Sequence, residues 1–416
     1  MGYFGRYITK HGQETLNHYT YRGSDDSLLY KYINSPMYEV MIQYVPNTIA
    51  PNVITLLGLA CTFTTYFIQE HYSPNMDQVL PAWVYMISGI AIWMYQTLDA
   101  LDGKQARKTG SSSPLGLLFD HGCDAINNTI ISLSIATALQ LGPTHLTAIL
   151  WSAQALGFFM ATLEEYYTGE LHLPIINGPS EGLLLAAVAH SLTYFQDPTN
   201  SFWLRIPTWS YGLQHNELAV LLIVVGAFFT ILSNIVNIFN AVTANAEKEG
   251  SNPMNLKEPG TQTYIVALTR CLVVALLTLG AWFWLFNSPT DIMGRHPRLV
   301  IWTLGLLISK LLTSLMLAHL CEEEYRPWGK TFTAVFAMAC HALINFFAYT
   351  YKFGSPSEEV MEAYEDLMLY EIFVVSLCMY IHFSVYVAHD VSTALGIYVF
   401  TLGKRPTEKG KEKKID

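Results

Sequence analysis

Ten runs of mostly apolar residues, each close to the length of a bilayer crossing, constrain this chain more than any other feature. A helix needs about 20 such residues to cross a hydrocarbon core of roughly 30 Å. In lipid every backbone N–H and C=O must be paired within its own segment, so each run is read as a helix. The runs fall at about 51–69, 81–98, 116–141, 145–163, 179–195, 217–240, 263–286, 299–319, 331–350 and 366–390. The fifth is short, the third opens with polar residues and the tenth carries Glu371. Ahead of the first, "SLLYKYINSPMYEVMIQYVP" is amphipathic rather than continuously apolar, which suits a helix lying in the membrane interface. The expected fold is all-α: a polytopic membrane protein with about ten transmembrane helices and an N-terminal amphipathic interfacial helix.

Composition agrees, since 51% of the 416 residues are hydrophobic and only 13% charged, too apolar for an ordinary soluble globule. A net charge of -10 and the lack of a basic stripe with interleaved aromatics argue against a nucleic-acid partner. The six cysteines are scattered without CxxC pairs or zinc spacing and read as small buried hydrophobes. The first residues, "MGYFGR", have neither the apolar core of a signal peptide nor the Ser/Thr of a myristoylation site.

Ten crossings place both ends on one side, and basic residues decide which. With a cytosolic N-terminus, that side holds seventeen of the 23 basic residues against four on the other, while Arg270 and Lys310 fall within runs. Both ends, and the segment between the second and third runs, are therefore expected in the cytosol.

That segment reads "LDALDGKQARKTGSSSPLGLLFDHGCDA" and carries four aspartates. Asp99 and Asp102 are three residues apart and Asp120 and Asp124 four apart, so each pair shares one helix face. Two antiparallel helices would bring the faces together, and four carboxylates so close need a cation to neutralise them. An all-oxygen set favours Mg²⁺, Mn²⁺ or Ca²⁺ over zinc. Gly103 and Ala106 leave the helix end open to a ligand, and Gly116 opens a second gap. Lys104, Arg107 and Lys108 offer positive charge to phosphate oxygens. A metal pair about 3.5–4 Å apart would clamp a pyrophosphate, which makes this a phosphoryl-transfer site at a membrane surface.

From Asp99 to Asp124 the residues follow D-x2-D-G-x2-A-R-x8-G-x3-D-x3-D without a mismatch. This pattern resembles the signature of the CDP-alcohol phosphotransferase family, and "DGKQAR", "SSSPLG" and "LFDHGCD" look like its eukaryotic choline/ethanolamine phosphotransferase branch. The likeness extends to "HYTYRGSDDSLLYKYI", "APNVITLLG" and "LPIINGPSEG", and covers roughly the first 190 residues. It implies transfer of phosphocholine or phosphoethanolamine from CDP-choline or CDP-ethanolamine to diacylglycerol, with release of CMP, in the endoplasmic reticulum or Golgi. It implies that Asp99, Asp102 and Asp120 bind two Mg²⁺ or Mn²⁺ ions, with Asp124 serving the metal site and proton removal. It further implies a catalytic domain over residues 51–241, between an N-terminal cytosolic segment (1–50) and a C-terminal transmembrane region (242–403) with a basic cytosolic tail (404–416). Homodimers occur in the family, but the sequence itself holds no dimer signal.

Several residues carry two readings. His121 is a candidate base for the diacylglycerol hydroxyl, or a histidine that only hydrogen-bonds a metal ligand. Asn52 lines the nucleotide site or caps a helix. Glu164, Glu165, Tyr166 and Tyr167, with Glu181, are head-group candidates through charge and cation–π contact, or an interfacial belt. The branch typically reads "PLGELFDHG" where this chain has "PLGLLFDHG", so Leu117 stands in place of a glutamate. A glutamate there could orient His121 or relay its proton, and the expectation is that Leu117→Glu raises turnover. The rival function is a cation or metabolite transporter built on the aspartates. Such proteins usually place these residues on broken helices in repeated halves, and no second copy is seen here.

Overall fold

The structure, a computed structural model, describes residues 7–196, 202–249, 263–327 and 357–403. The expected ninth run, 331–350, and the basic tail lie outside these residues. In chain order the helices are α1 (Lys10–Leu16), α2 (Ser35–Tyr44), α3 (Pro51–Tyr72), α4 (Ala82–Thr109), α5 (Pro114–Ala138), α6 (His145–Thr168), α7 (Leu183–Phe195), α8 (His215–Glu249), α9 (Tyr264–Phe286), α10 (Ile292–Arg295), α11 (Pro297–Leu320) and α12 (Glu358–Leu395). Every other expected run is thus a helix. Six of them, α3, α6, α8, α9, α11 and α12, are long and apolar enough to cross a membrane. α7 has only 13 residues, about 20 Å at 1.5 Å per residue, and a wide π-type turn at Gly178–Gly182 leads into it.

The protein is an integral membrane protein, and its exposed surface agrees with that. α8 turns Leu222, Phe228 and Phe229 outward at 60% exposure or more, a display that lipid solvates and water would not. α11 is the most enclosed of the six apolar helices, packed against α5, α6 and α12. Lipid removes most of the hydrophobic drive for helix association, so close approach and polar ties carry it. A Cβ on Gly305 of α11 would stand 2.3 Å from Oγ1 of Thr129 on α5, so only glycine permits this contact. The Gln69 amide donates to the hydroxyls of Ser88 and Ser134 at 2.7 and 2.8 Å, joining α3, α4 and α5.

Two features depart from the expectation. α4 runs on to Thr109, 28 residues or about 42 Å at 1.5 Å per residue, so Asp99 and Asp102 lie inside a helix rather than at its end. An isolated helix end would leave carbonyls unpaired in that region, and continuing the helix pairs them. The second is a short parallel sheet in an otherwise helical molecule: β1 (Gly23–Asp25) pairs with β2 (Leu171–Leu173). Nearby, the Ser27 hydroxyl donates to Glu181, and Asp25 accepts from Asn177 and Ser180 at 3.0 Å each. The N-terminal segment is thereby strapped to the loop after α6. The expected N-terminal amphipathic helix forms as α2, which buries Tyr38 and Ile42 beside Ile54 and Leu101 and exposes Val40 and Tyr44.

Candidate active site

The turn between α4 and α5 is encoded locally. Gly110 takes φ +65° and ends α4, Ser113 accepts from the Gly116 N–H as the N-cap of α5, and Pro114 occupies the first helical turn. The chain reverses in residues 110–113, and the two aspartate faces meet. One carboxylate oxygen from each of Asp99, Asp120 and Asp124 lies within 4.8 Å of the others. Asp102 accepts a hydrogen bond from the Thr55 hydroxyl of α3, and Asp124 one from the Tyr95 hydroxyl. Among the described residues, Oδ1 of Asp99 and Oδ1 of Asp120 are buried with no hydrogen-bond partner. Buried oxygens of like charge without donors are strongly unfavourable. A hard divalent cation would satisfy them, and the all-oxygen donor set fits Mg²⁺ or Mn²⁺.

The three basic residues divide. Lys104 donates to Glu39 of α2, and Lys108 to the carbonyls of Ile42 and Val45 at 2.8 and 2.7 Å, where it satisfies the C-terminus of α2. Gln105 adds donations to the carbonyls of Pro46 and Ile49, both 2.9 Å. One side of the α4 end is thus used to dock α2. Arg107 is exposed, with its guanidinium 3.7 Å from where a Cβ on Gly103 would stand. Ala106 is half-buried beside it, and its carbonyl accepts from Ser111 at the helix end. Asn52 does not cap α3: Ala50 holds that position, and the Asn52 amide donates to the Val399 carbonyl at 2.8 Å. Its Oδ1 faces Gly116, 3.7 Å from where a Cβ would lie.

His121 is buried. Its Nδ1 is 3.2 Å from the Leu117 carbonyl and its Nε2 3.6 Å from Oε2 of Glu165 on α6. The expected head-group cluster is split apart. Glu164 turns toward α8 and accepts from Asn237 at 2.9 Å. Tyr166 donates to the Glu323 carbonyl and accepts from the Tyr325 N–H, both at 3.1 Å. The cation over the Tyr166 and Tyr167 rings is the protein's own Arg270, at 5.2 and 5.7 Å. Glu181 is held by Ser27 and by the Asn177 N–H. Of these residues Glu165 is the one set against His121.

Sequence reasoning missed Thr55, Tyr95, Tyr19, Tyr21 and His319. Tyr95 lies four residues before Asp99 on the same helix, a spacing that could have revealed it. His319 is nearly 200 residues from the motif, and nothing local marks it. Its Nε2 is 3.9 Å from Oε1 of Glu165 and 3.3 Å from the Tyr19 hydroxyl. Tyr19 and His319 line a cleft of about 800 Å³ with Arg22, Tyr166, Arg270 and Glu323. The Tyr21 hydroxyl is pushed up to about 12, first by desolvation and then by the negative charges of Glu165 and Asp120. Through Tyr19 the N-terminal segment therefore reaches His319 and the cleft beside Glu165.

Comparison with known proteins follows the same residues. The profile of the family described as CDP-alcohol phosphatidyltransferase matches residues 48–231. Choline/ethanolaminephosphotransferase 2 of Arabidopsis thaliana is 34% identical over 410 residues, which cover 97% of this chain and all of that protein. Cholinephosphotransferase 1 of Danio rerio is 30% identical over 68% of this chain and 70% of its own length. Choline/ethanolaminephosphotransferase 1 of Saccharomyces cerevisiae is 36% identical over 46% of this chain and 49% of its own.

Proposed function

The chain belongs to the CDP-alcohol phosphatidyltransferase family, and from that premise we propose that it transfers phosphocholine, phosphoethanolamine or both from the CDP-alcohol to diacylglycerol, yielding phosphatidylcholine or phosphatidylethanolamine and CMP. The observation that carries this reading is the carboxylate cluster of α4 and α5, with two buried oxygens lacking donors beside an exposed arginine. Both helices are unbroken, unlike the interrupted helices on which transporters place such groups.

In this proposal Asp99, Asp102, Asp120 and Asp124 hold two Mg²⁺ or Mn²⁺ ions, which when bound neutralise the diphosphate and the charge gathering on the leaving CMP oxygen. Thr55 and Tyr95 fix Asp102 and Asp124 by donating to them. Arg107 pairs with a phosphate oxygen, and Gly103, Ala106, Gly116 and Asn52 shape the room around the nucleotide. His121 and Asp124 are the two candidates to take the acceptor hydroxyl's proton, with the Leu117 carbonyl holding one edge of the imidazole. Residues 51–241 form the catalytic part and 242–403 a C-terminal transmembrane part, of which α11 and α12 pack against α5. The site faces the cytosol of the endoplasmic reticulum or Golgi, following the bias of basic residues.

The test is CMP release by the purified protein. Release is expected only when a CDP-alcohol, diacylglycerol and a divalent ion are all present, and it should fall by orders of magnitude in Asp102→Asn and Asp120→Asn. Full activity in excess EDTA, or CMP release without diacylglycerol, would defeat the reading. Competition between CDP-choline and CDP-ethanolamine in the same assay assigns the head group.

A further inference from the structure

One buried acid close to the site has no part in the reaction as described. Glu165 is 1% exposed, and neither of its carboxylate oxygens has a hydrogen-bond partner among the described residues. Keeping an ionised carboxylate in such a place is unfavourable unless charge faces it. Two imidazoles face it from two other helices. Nε2 of His121 on α5 stands 3.6 Å from Oε2, and Nε2 of His319 on α11 stands 3.9 Å from Oε1, both histidine side chains being 10% exposed or less. His319 is itself held by the Tyr19 hydroxyl at 3.3 Å.

The other edge of the His121 ring is also fixed, since Nδ1 lies on the Leu117 carbonyl. The Leu117 side chain packs against a cluster that includes Leu16, Leu320 and Phe383. Position 117 thus supplies His121 with a backbone oxygen and no carboxylate. A carboxylate does reach the ring, from α6 instead of α5.

We propose that Glu165 is the positioning residue for His121 in the transfer reaction, holding the imidazole in register with the aspartates, and that His319 braces Glu165 from the opposite side. The inference rests on the functional reading above and goes beyond it by assigning the buried acid to the reaction centre and not to the head group. The two assignments differ in kinetics. A head-group contact acts on nucleotide binding and moves KM, whereas a support for His121 moves kcat.

The experiment measures CMP release by full-length protein in detergent, for wild type, Glu165→Gln, His121→Gln, the double variant and His319→Gln, with thermal unfolding to confirm folding. Glu165→Gln is expected to lower kcat about 10–100-fold, the usual scale for losing an outer support, with KM for the CDP-alcohol within about twofold. Residues acting as one unit are not additive, so the double variant should be no slower than His121→Gln. If Glu165→Gln does not fold, His319→Gln carries the same test, with a smaller fall in kcat at unchanged KM. An unchanged kcat, a loss confined to KM, or multiplicative losses in the double variant would overturn the proposal. An active wild type with such variants overturns this inference alone, whereas a wild type that releases no CMP overturns the functional reading along with it.

Discussion

Three neighbouring cations, Lys104, Arg107 and Lys108, look interchangeable in the sequence and are not. Lys104 and Lys108 dock α2, whereas Arg107 stands exposed toward the end of α4 near Gly103. Arg107→Ala should raise the nucleotide KM by about tenfold or more, the scale of one lost charge-assisted contact. Lys104→Ala should leave that KM within about twofold, because its ammonium is engaged by Glu39 of α2. Steady-state kinetics on both variants checks this, and equal effects would mean that Lys104 also reaches the substrate. Leu117 is a second case. The sequence favours a gain of turnover in Leu117→Glu, whereas the structure gives His121 a carboxylate from Glu165 and seats Leu117 against apolar side chains. The expected outcome is now no gain in turnover and a loss of about 1–3 kcal/mol in stability from a polar group among apolar neighbours. Turnover and thermal unfolding of the variant together decide it.

At the scale of elements, the reversal between α4 and α5 sets the whole aspartate geometry, and Gly110, Ser113 and Pro114 encode it. Gly110 adopts φ +65° with nothing within 4 Å of where a Cβ would stand, so Gly110→Ala carries only the backbone penalty, about 1 kcal/mol. Ser113→Ala removes the acceptor for the Gly116 N–H and should cost a similar amount, about 1 kcal/mol. Both variants should unfold at lower temperature in detergent, and their metal requirement should rise as the faces loosen. A variant with unchanged melting and metal dependence would show that packing against α3 and α11 sets the geometry without the turn. The antiparallel reversal was expected from the sequence, and Gly, Ser and Pro encode it locally because they act through neighbouring backbone groups. The extension of α4 past Asp102 was not, since hydropathy marks where a span leaves lipid and says nothing of where the helix stops.

For the molecule as a whole, the charge bias predicts that residues 110–113 face the cytosol. In sealed vesicles of known orientation, Ser112→Cys should react with a membrane-impermeant maleimide from the cytosolic side, above the background of the native cysteines. Labelling from the opposite side would invert the topology. The sequence by itself determined the helical class, the apolar runs, the pairing of aspartates on two faces and the turn that joins them. Each of these depends on residues within a few positions of one another or on the average polarity of a segment, and such information is carried along the chain. Only the tertiary structure decided that Lys104 docks on α2, that Glu164 and Glu165 face different helices, that β1 straps the N-terminal segment to the loop after α6, and that α11 brings His319 to Glu165. Adjacent residues on a helix point about 100° apart, so one of two neighbouring glutamates can meet α8 while the other meets α5. Which helix stands opposite each of them is a property of packing between segments far apart in the chain.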